Sequence, residues 1–217
     1  PDIGMPPEFM EFLTMLAHQA RVTGAEAVYT GKSRKLGGFP HKQWMVTGRG
    51  IFTSMEIAIR KLGLSKEATV SIQGFGDVGG SLAHLILTRS LLKLTVLVDK
   101  NSTTETIYIL ECPAGFQAKD EWKGEILRLV KEEKSLAEFN PSLLGPGVTL
   151  RDSSDPAFVN NSVTLPSDIF IPAAGPNVIT LGNVAEVLKN HRLIVEGANI
   201  PFEPPAAARF DEKGGKR

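Results

Sequence analysis

The apolar residues of this 217-residue chain keep two rhythms, and the change from one to the other falls near residue 69. Over 7–22, Phe9, Phe12, Leu13, Leu16, Ala17 and Ala20 recur every three or four positions, the spacing that lays an apolar stripe along a helix. Pro6 and Pro7 suit its entry and Gly24 its end. Residues 30–44 mix glycine and basic side chains without a period and read as a loop. A second helix is expected from about Gly50, with Phe52, Met55, Ile59 and Leu62 facing inward and Gly63 stopping it. Beyond that point short apolar runs alternate with helical stretches. Residues 69–73, 94–98, 106–110, 148–150, 168–171 and 192–195 read as strands. Helices are expected over 77–90, over 119–134 with Trp122, Ile126, Leu129 and Val130 inward, and around 180–190. Such alternation predicts an α/β fold, a mainly parallel sheet with helices on both faces, because parallel strands need a crossover and the crossover is a helix.

Composition changes this picture little. Twenty-four basic residues balance twenty-four acidic ones, which removes any bulk electrostatic reason to expect nucleic acid or an anionic membrane as partner. Cys112 is the only cysteine, so no disulfide forms within the chain. Its apolar runs are too short to span a bilayer, and no basic segment precedes an apolar one at the start. An intracellular setting, cytoplasmic or mitochondrial, is expected. The chain opens on Pro1 rather than methionine, which reads as a fragment or a processed product.

The chemistry gathers where the rhythm changes. Gly74-Phe75-Gly76-Asp77-Val78-Gly79 follows a strand and opens a helix. Glycine at 74 permits a tight turn, at 76 a close approach of backbone to a pyrophosphate, and at 79 close packing of helix on strand. The helix N-terminus presents free N–H groups and a positive dipole end to phosphates. Asp99, at the end of the second strand, is placed to accept hydrogen bonds from an adenosine ribose. Its charge opposes a 2′-phosphate and favours NAD over NADP, whereas Lys100 beside it argues the other way. Residues 46–210 are therefore expected to form a Rossmann-type dinucleotide-binding domain. Residues 211–217 read as a polar tail.

Other chemistries are thin. His18, His41, His84 and His191 show no metal-ligand spacing with one another or with Cys112. Gly31-Lys32-Ser33 resembles the end of a P-loop, but Glu26 stands where its first glycine belongs. Lys32, Arg34 and Lys35 read either as a phosphate contact or, better, as a solvated loop.

Taken in order, several segments resemble the glutamate dehydrogenase family, which includes leucine, phenylalanine and valine dehydrogenases. These are Pro1-Asp2-Ile3-Gly4, Thr30-Gly31-Lys32 with Gly37-Gly38, Thr47-Gly48-Arg49-Gly50, Ile72-Gln73 with the glycine turn, Asp168-Ile169-Phe170-Ile171-Pro172-Ala173-Ala174, and Val195-Glu196-Gly197-Ala198-Asn199. The resemblance implies oxidative deamination of an amino acid, most simply glutamate, to its 2-oxo acid with hydride passing to a nicotinamide. It gives Asp2 the role of moving protons to and from the amine and the iminium, since hydride leaves only from a neutral amine. It places Arg49 near substrate, with a buried structural pair as the other reading. Thr47 and Asn199 match contacts to the nicotinamide end, and Ala173 and Ala174 match the stretch beside its ribose. Residues 1–45 then read as a remnant of the family's substrate domain.

The chain also departs from the family. The lysines that bind substrate and activate it lie upstream of the Pro-Asp segment, and a later serine near substrate is also absent. Asp77 stands where many relatives have asparagine, and residues 139–167 match nothing. The expectation is cofactor binding with little or no turnover by this chain alone. A non-catalytic NAD-binding or scaffolding module and an enzyme using Lys32 or Lys35 instead are the alternatives. Family members assemble as oligomers, so the full-length parent is expected to do so. The choice of amino acid is not readable.

Overall fold

The computed structural model describes residues 7–29, 32–39 and 41–217, which fall into two compact units divided between Val46 and Thr47. The first unit holds helices α1 (Pro7–Gln19) and α2 (Ala25–Val28) and a 3-10 turn at Arg34–Leu36. Helix α1 forms as its periodicity predicts, but of the expected stripe Ala17 is buried, with Met10 and Thr14 beside it, while Phe9, Phe12 and Leu16 are exposed, as is Met15. A helical period fixes the spacing of a stripe, not which of two competing stripes finds a neighbour. Thr14 is tolerated inside because its hydroxyl donates to the Met10 carbonyl at 2.8 Å. In the loop that follows, Trp44 packs edge-on against Phe39 at 4.6 Å, and the Arg34 guanidinium lies 4.9 Å from its ring centre. Lys32 is buried rather than solvated, with its ammonium donating to the Tyr29 carbonyl at 2.6 Å. That lysine is occupied locally, against its expected place on a solvated loop.

The second unit carries the sheet. Helix α3 spans Val46–Leu62 and so starts before Gly50, taking Gly48 and Gly50 into its first turns. Strands β1 (Thr69–Gln73), β2 (Lys93–Lys100), β3 (Ile107–Glu111), β4 (Thr149–Asp152), β5 (Ile169–Pro172) and β6 (Leu193–Ile194) lie in the order β4-β3-β2-β1-β5-β6. Pairs β1–β2, β1–β5 and β5–β6 are parallel, as alternation with helices predicts. The β2–β3 and β3–β4 pairs are antiparallel. Only residues 101–106 join β2 to β3, too few for the crossover that parallel pairing requires.

Helices cover both faces. In β5, Ile169 and Ile171 point into one core with Val70 and Ile72 of β1, where α3, α4 (Asp77–Arg89) and α5 (Asp120–Glu132) supply Met55, Leu82, Ile86, Ile126 and Leu129. Phe170, between them, points to the other face and meets Val184 and Val187 of α6 (Val184–Asn190) and Ala206 and Phe210 of α7 (Pro204–Glu212). That division is the two-residue period of a strand buried on both sides. Helix α7 is unanticipated in the sequence pattern, and the expected polar tail 211–217 begins inside it. Its end is fastened: Ile194 N donates to the Lys216 carbonyl at 2.8 Å, and Arg217 pairs with Asp211 and Glu196. Charged residues stay ordered here because the backbone beneath them closes on β6 and Gly215 lies over the Phe210 ring.

Candidate cofactor site

The carboxyl ends of β1, β2 and β5 converge on the glycine turn, and each glycine is there for a different reason. Gly74 has φ of +104°, and its N–H donates to the Val98 carbonyl at 2.9 Å, tying the turn to β2. A Cβ on Gly74 would lie 2.8 Å from the Ala173 carbonyl carbon and the Ala174 nitrogen. On Gly79 it would fall 1.8 Å from the Gly74 carbonyl oxygen, so α4 reaches the strand only without a side chain. Gly76 is unlike both. It is exposed, its φ of −74° is open to any residue, and a Cβ there would meet nothing within 4 Å. No described residue requires glycine at 76; the space over it, at the N-cap of α4, is what the residue keeps free.

That space faces the first turn of α4, whose leading N–H groups have no intrahelical acceptor. Phe75 is buried and Val78 packs on the core, so the turn is held from beneath while Gly76 and Asp77 stay at the surface. The arrangement fits a pyrophosphate lying on the helix end.

Asp99 stands one residue beyond Val98, beside Gly74. One carboxylate oxygen accepts from the Ser135 hydroxyl at 2.6 Å and from Leu136 N at 3.0 Å. The carboxylate is thus oriented by the segment after α5, and its second oxygen is left for another donor. This anchoring, from a residue far along the chain, had no signal in the sequence. Lys100 next to it is engaged by Glu105 in an ion pair.

Ala173 and Ala174 follow β5. Ala173 N donates to Gln73 O at 2.7 Å, which lays this stretch directly against the turn. Gly197 and Ala198 both donate to the Pro172 carbonyl, at 3.0 and 2.8 Å, and bring the 195–199 segment alongside. Asn199 is exposed beyond them. At the start of α3, Gly48 packs so closely on α4 that a Cβ would sit 2.5 Å from that of Ser81, which puts Thr47 near the first turns of α4. Thr47 is exposed. Arg49 is also exposed and makes no ion pair among the described residues, against the reading of a buried structural pair. It lines a groove between α3 and α4 of about 370 Å³ with Thr53, Glu56 and Arg89. His84 of α4 is held below the usual imidazole range by burial, then by the positive charges of Arg89 and Arg49. Asp2, with the rest of its Pro-Asp-Ile-Gly segment and with Thr30 and Gly31, lies outside the described residues.

The glycine turn, the β2 carboxylate and the alanines after β5 thus meet at the point where connections leave β1 for opposite sides of the sheet, which is where open α/β sheets bind ligands. Comparison with known proteins gives the family. The family model described as Glutamate/Leucine/Phenylalanine/Valine dehydrogenase matches residues 37–215. The chain belongs to this family. An NADP(+)-dependent glutamate dehydrogenase of Pyrobaculum calidifontis is 30% identical over 99% of the chain and 46% of its own length. A probable NAD-specific glutamate dehydrogenase of Schizosaccharomyces pombe is 24% identical over 95% of the chain and 20% of its own length. Among solved structures, the glutamate dehydrogenase of Plasmodium falciparum superposes with a TM-score of 0.74 at 21% identity, over 99% of the chain and 42% of that protein. This glutamate dehydrogenase family chain therefore spans less than half the length of these relatives. Their names include both nicotinamide cofactors, so membership supports a nicotinamide dinucleotide without selecting one.

Proposed function

We propose that this chain is the cofactor-binding part of an amino acid dehydrogenase acting on glutamate, and that it prefers NAD to NADP. The observation that carries the proposal is Gly76, whose missing side chain serves no contact of the chain itself and leaves room for a ligand at the α4 N-terminus. The first-turn N–H groups of α4 bind the pyrophosphate. The free oxygen of Asp99, steadied by Ser135 and Leu136, accepts from the adenosine ribose hydroxyls. The pairing of Lys100 with Glu105 leaves the charge of Asp99 opposing a 2′-phosphate, with no other cation beside it in the described sequence of β2.

The dinucleotide, when bound, supplies the hydride acceptor. The small side chains of Ala173 and Ala174 let the nicotinamide ribose lie against the turn, and Thr47 and Asn199 fix the nicotinamide end by hydrogen bonding. Arg49 pairs with a substrate carboxylate, and Asp2 moves protons at the substrate nitrogen. The remaining substrate contacts belong to parts of the relatives that this chain does not span, so the chain alone binds cofactor and does not turn over glutamate.

Calorimetric titration of the chain with NAD and then NADP tests the reading. The expected result is NAD binding that weakens for NADP and disappears in Gly76→Val. Failure of both dinucleotides to bind would overturn it, and rapid glutamate-dependent NAD reduction by this chain alone would overturn its last step.

A further inference from the structure

The opposite edge of the sheet carries a cleft of about 440 Å³ whose charge is one-sided. Lys189, His191, Arg192, Arg209, Lys213 and Lys216 line it, with Ala185 and Leu188 as its apolar part and no carboxylate among the described residues. These side chains come from the end of α6, the approach to β6, the end of α7 and the turn after it. They are not the residue of a basic composition, because the chain balances its charges.

Several cations elsewhere are paired: Lys93 with Glu67, Lys134 with Glu138, Arg151 with Glu111, and Arg128 with Glu125 and Glu132. In the cleft, Lys189, Arg209, Lys213 and Lys216 have no carboxylate partner among the described residues. Arg192 alone approaches one, Asp168 at 3.8 Å, and the other Asp168 oxygen is taken by Thr69. Of the two acids at the end of α7, Asp211 is turned to Arg217 and Glu212 does not line the cleft. Like charges gathered without counter-charges repel one another, and a multivalent anion relieves that repulsion.

We propose that this cleft is a binding site for a small diphosphate or polyphosphate anion, separate from the cofactor turn. Its volume exceeds one tetrahedral anion, and four unpaired cations from three elements match a charge spread along a phosphate chain. A nucleobase is not part of the match. The one aromatic ring in the lining, His191, is buried, stacks on Phe170 at 5.0 Å, and spends both nitrogens on Ser167 and Val163. The proposal does not depend on the cofactor reading, because the cleft and the glycine turn share no residue.

The test is calorimetric titration with inorganic pyrophosphate, then inorganic phosphate, at constant ionic strength. Pyrophosphate is expected to bind at one site, more tightly than phosphate, and to do so equally in Gly76→Val. Arg209→Gln and Lys213→Gln should each weaken binding by about tenfold, with unchanged unfolding midpoints; Lys189→Gln replaces either variant that fails to fold. Binding lost in Gly76→Val but kept in the cleft variants would place the anion at the turn and overturn the proposal. So would sulfate competing as well as pyrophosphate, or a single-stranded RNA binding more tightly than pyrophosphate through the same cations.

Discussion

The two edges of one sheet solve opposite problems. The carboxyl edge is made of absent side chains: Gly74 and Gly79 bring strand, helix and the Ala173–Ala174 stretch into backbone contact, and Gly76 keeps the space above them free. Its amino edge is made of side chains that hydrogen-bond one another. Thr69 and Asp168 exchange three hydrogen bonds of 2.8–3.0 Å, and Ser71, Ser167 and His191 form a chain across β1, β5 and the approach to β6. One edge is fixed by shape and left open at its surface, which suits a ligand held by backbone N–H groups. The other is fixed by polar satisfaction inside and carries its charge outside.

The sharpest way to break this comparison is within the glycine turn itself. Gly79→Ala puts a methyl group 1.8 Å from the Gly74 oxygen, and neither backbone can yield without parting α4 from β1. A loss of roughly 2–4 kcal/mol is expected, read as a fall in the thermal midpoint. If Gly79→Ala unfolds with the parent, the close approach is not what demands glycine. Gly76→Val is the counterpart: as a poorer N-cap it should cost only about 1 kcal/mol of stability, less than Gly79→Ala, while NAD binding disappears. Equal destabilisation by the two substitutions would remove the distinction between a packing glycine and a ligand glycine.

How far such features were legible follows from their range. β1, the turn and α4 could be read because the shift from a two-residue to a helical period and three glycines fall within a few positions of one another. Helix α7 escaped because Pro204 and Pro205 open it, as prolines do at a first turn, but only Ala206 and Phe210 mark its inner face among charges. The antiparallel setting of β3 followed from the shortness of 101–106, a constraint on connection and not on residue pattern. For α1 the period was right and the buried face was not, since Thr14 lies in the stripe that is inside. Of the candidate site, the turn, Asp99 and the alanines assemble as neighbours, whereas the hold of Ser135 on Asp99 is a tertiary contact that no local pattern announces.

Ser135 sharpens the comparison next, being the side chain that holds Asp99 at the glycine edge. Ser135→Ala removes the 2.6 Å hydrogen bond to Asp99 and leaves the one from Leu136 N. It also removes the cap to Ala137 N. A stability loss of about 1 kcal/mol is expected, with a several-fold weaker NAD affinity and a smaller preference over NADP. Calorimetry on the same variant reads all three. A stability loss with both affinities unchanged would mean that Asp99 is held for the fold alone.

The smallest expected effect is a pH dependence that belongs to the amino edge. His191 is buried, and its Nε2 lies 3.1 Å from the Val163 carbonyl, which requires the proton on that nitrogen. Burial is the largest influence and lowers its pKa from the ordinary 6.5, against the opposing pull of the Val163 and Ser167 carbonyls. The folded state therefore binds fewer protons than the unfolded chain between that lowered value and 6.5, so the stability from a neutral His191 is complete above 6.5 and lost as pH falls below it. His84, also lowered, adds a contribution of the same sign from α4. Urea unfolding at pH 7.5 and 5.5 should show a lower midpoint at the acid value. His191→Gln, which can still donate toward Val163 but does not titrate, should lose less between the two, the remainder falling to His84. An equal drop in parent and variant would mean that His191 does not carry the pH dependence.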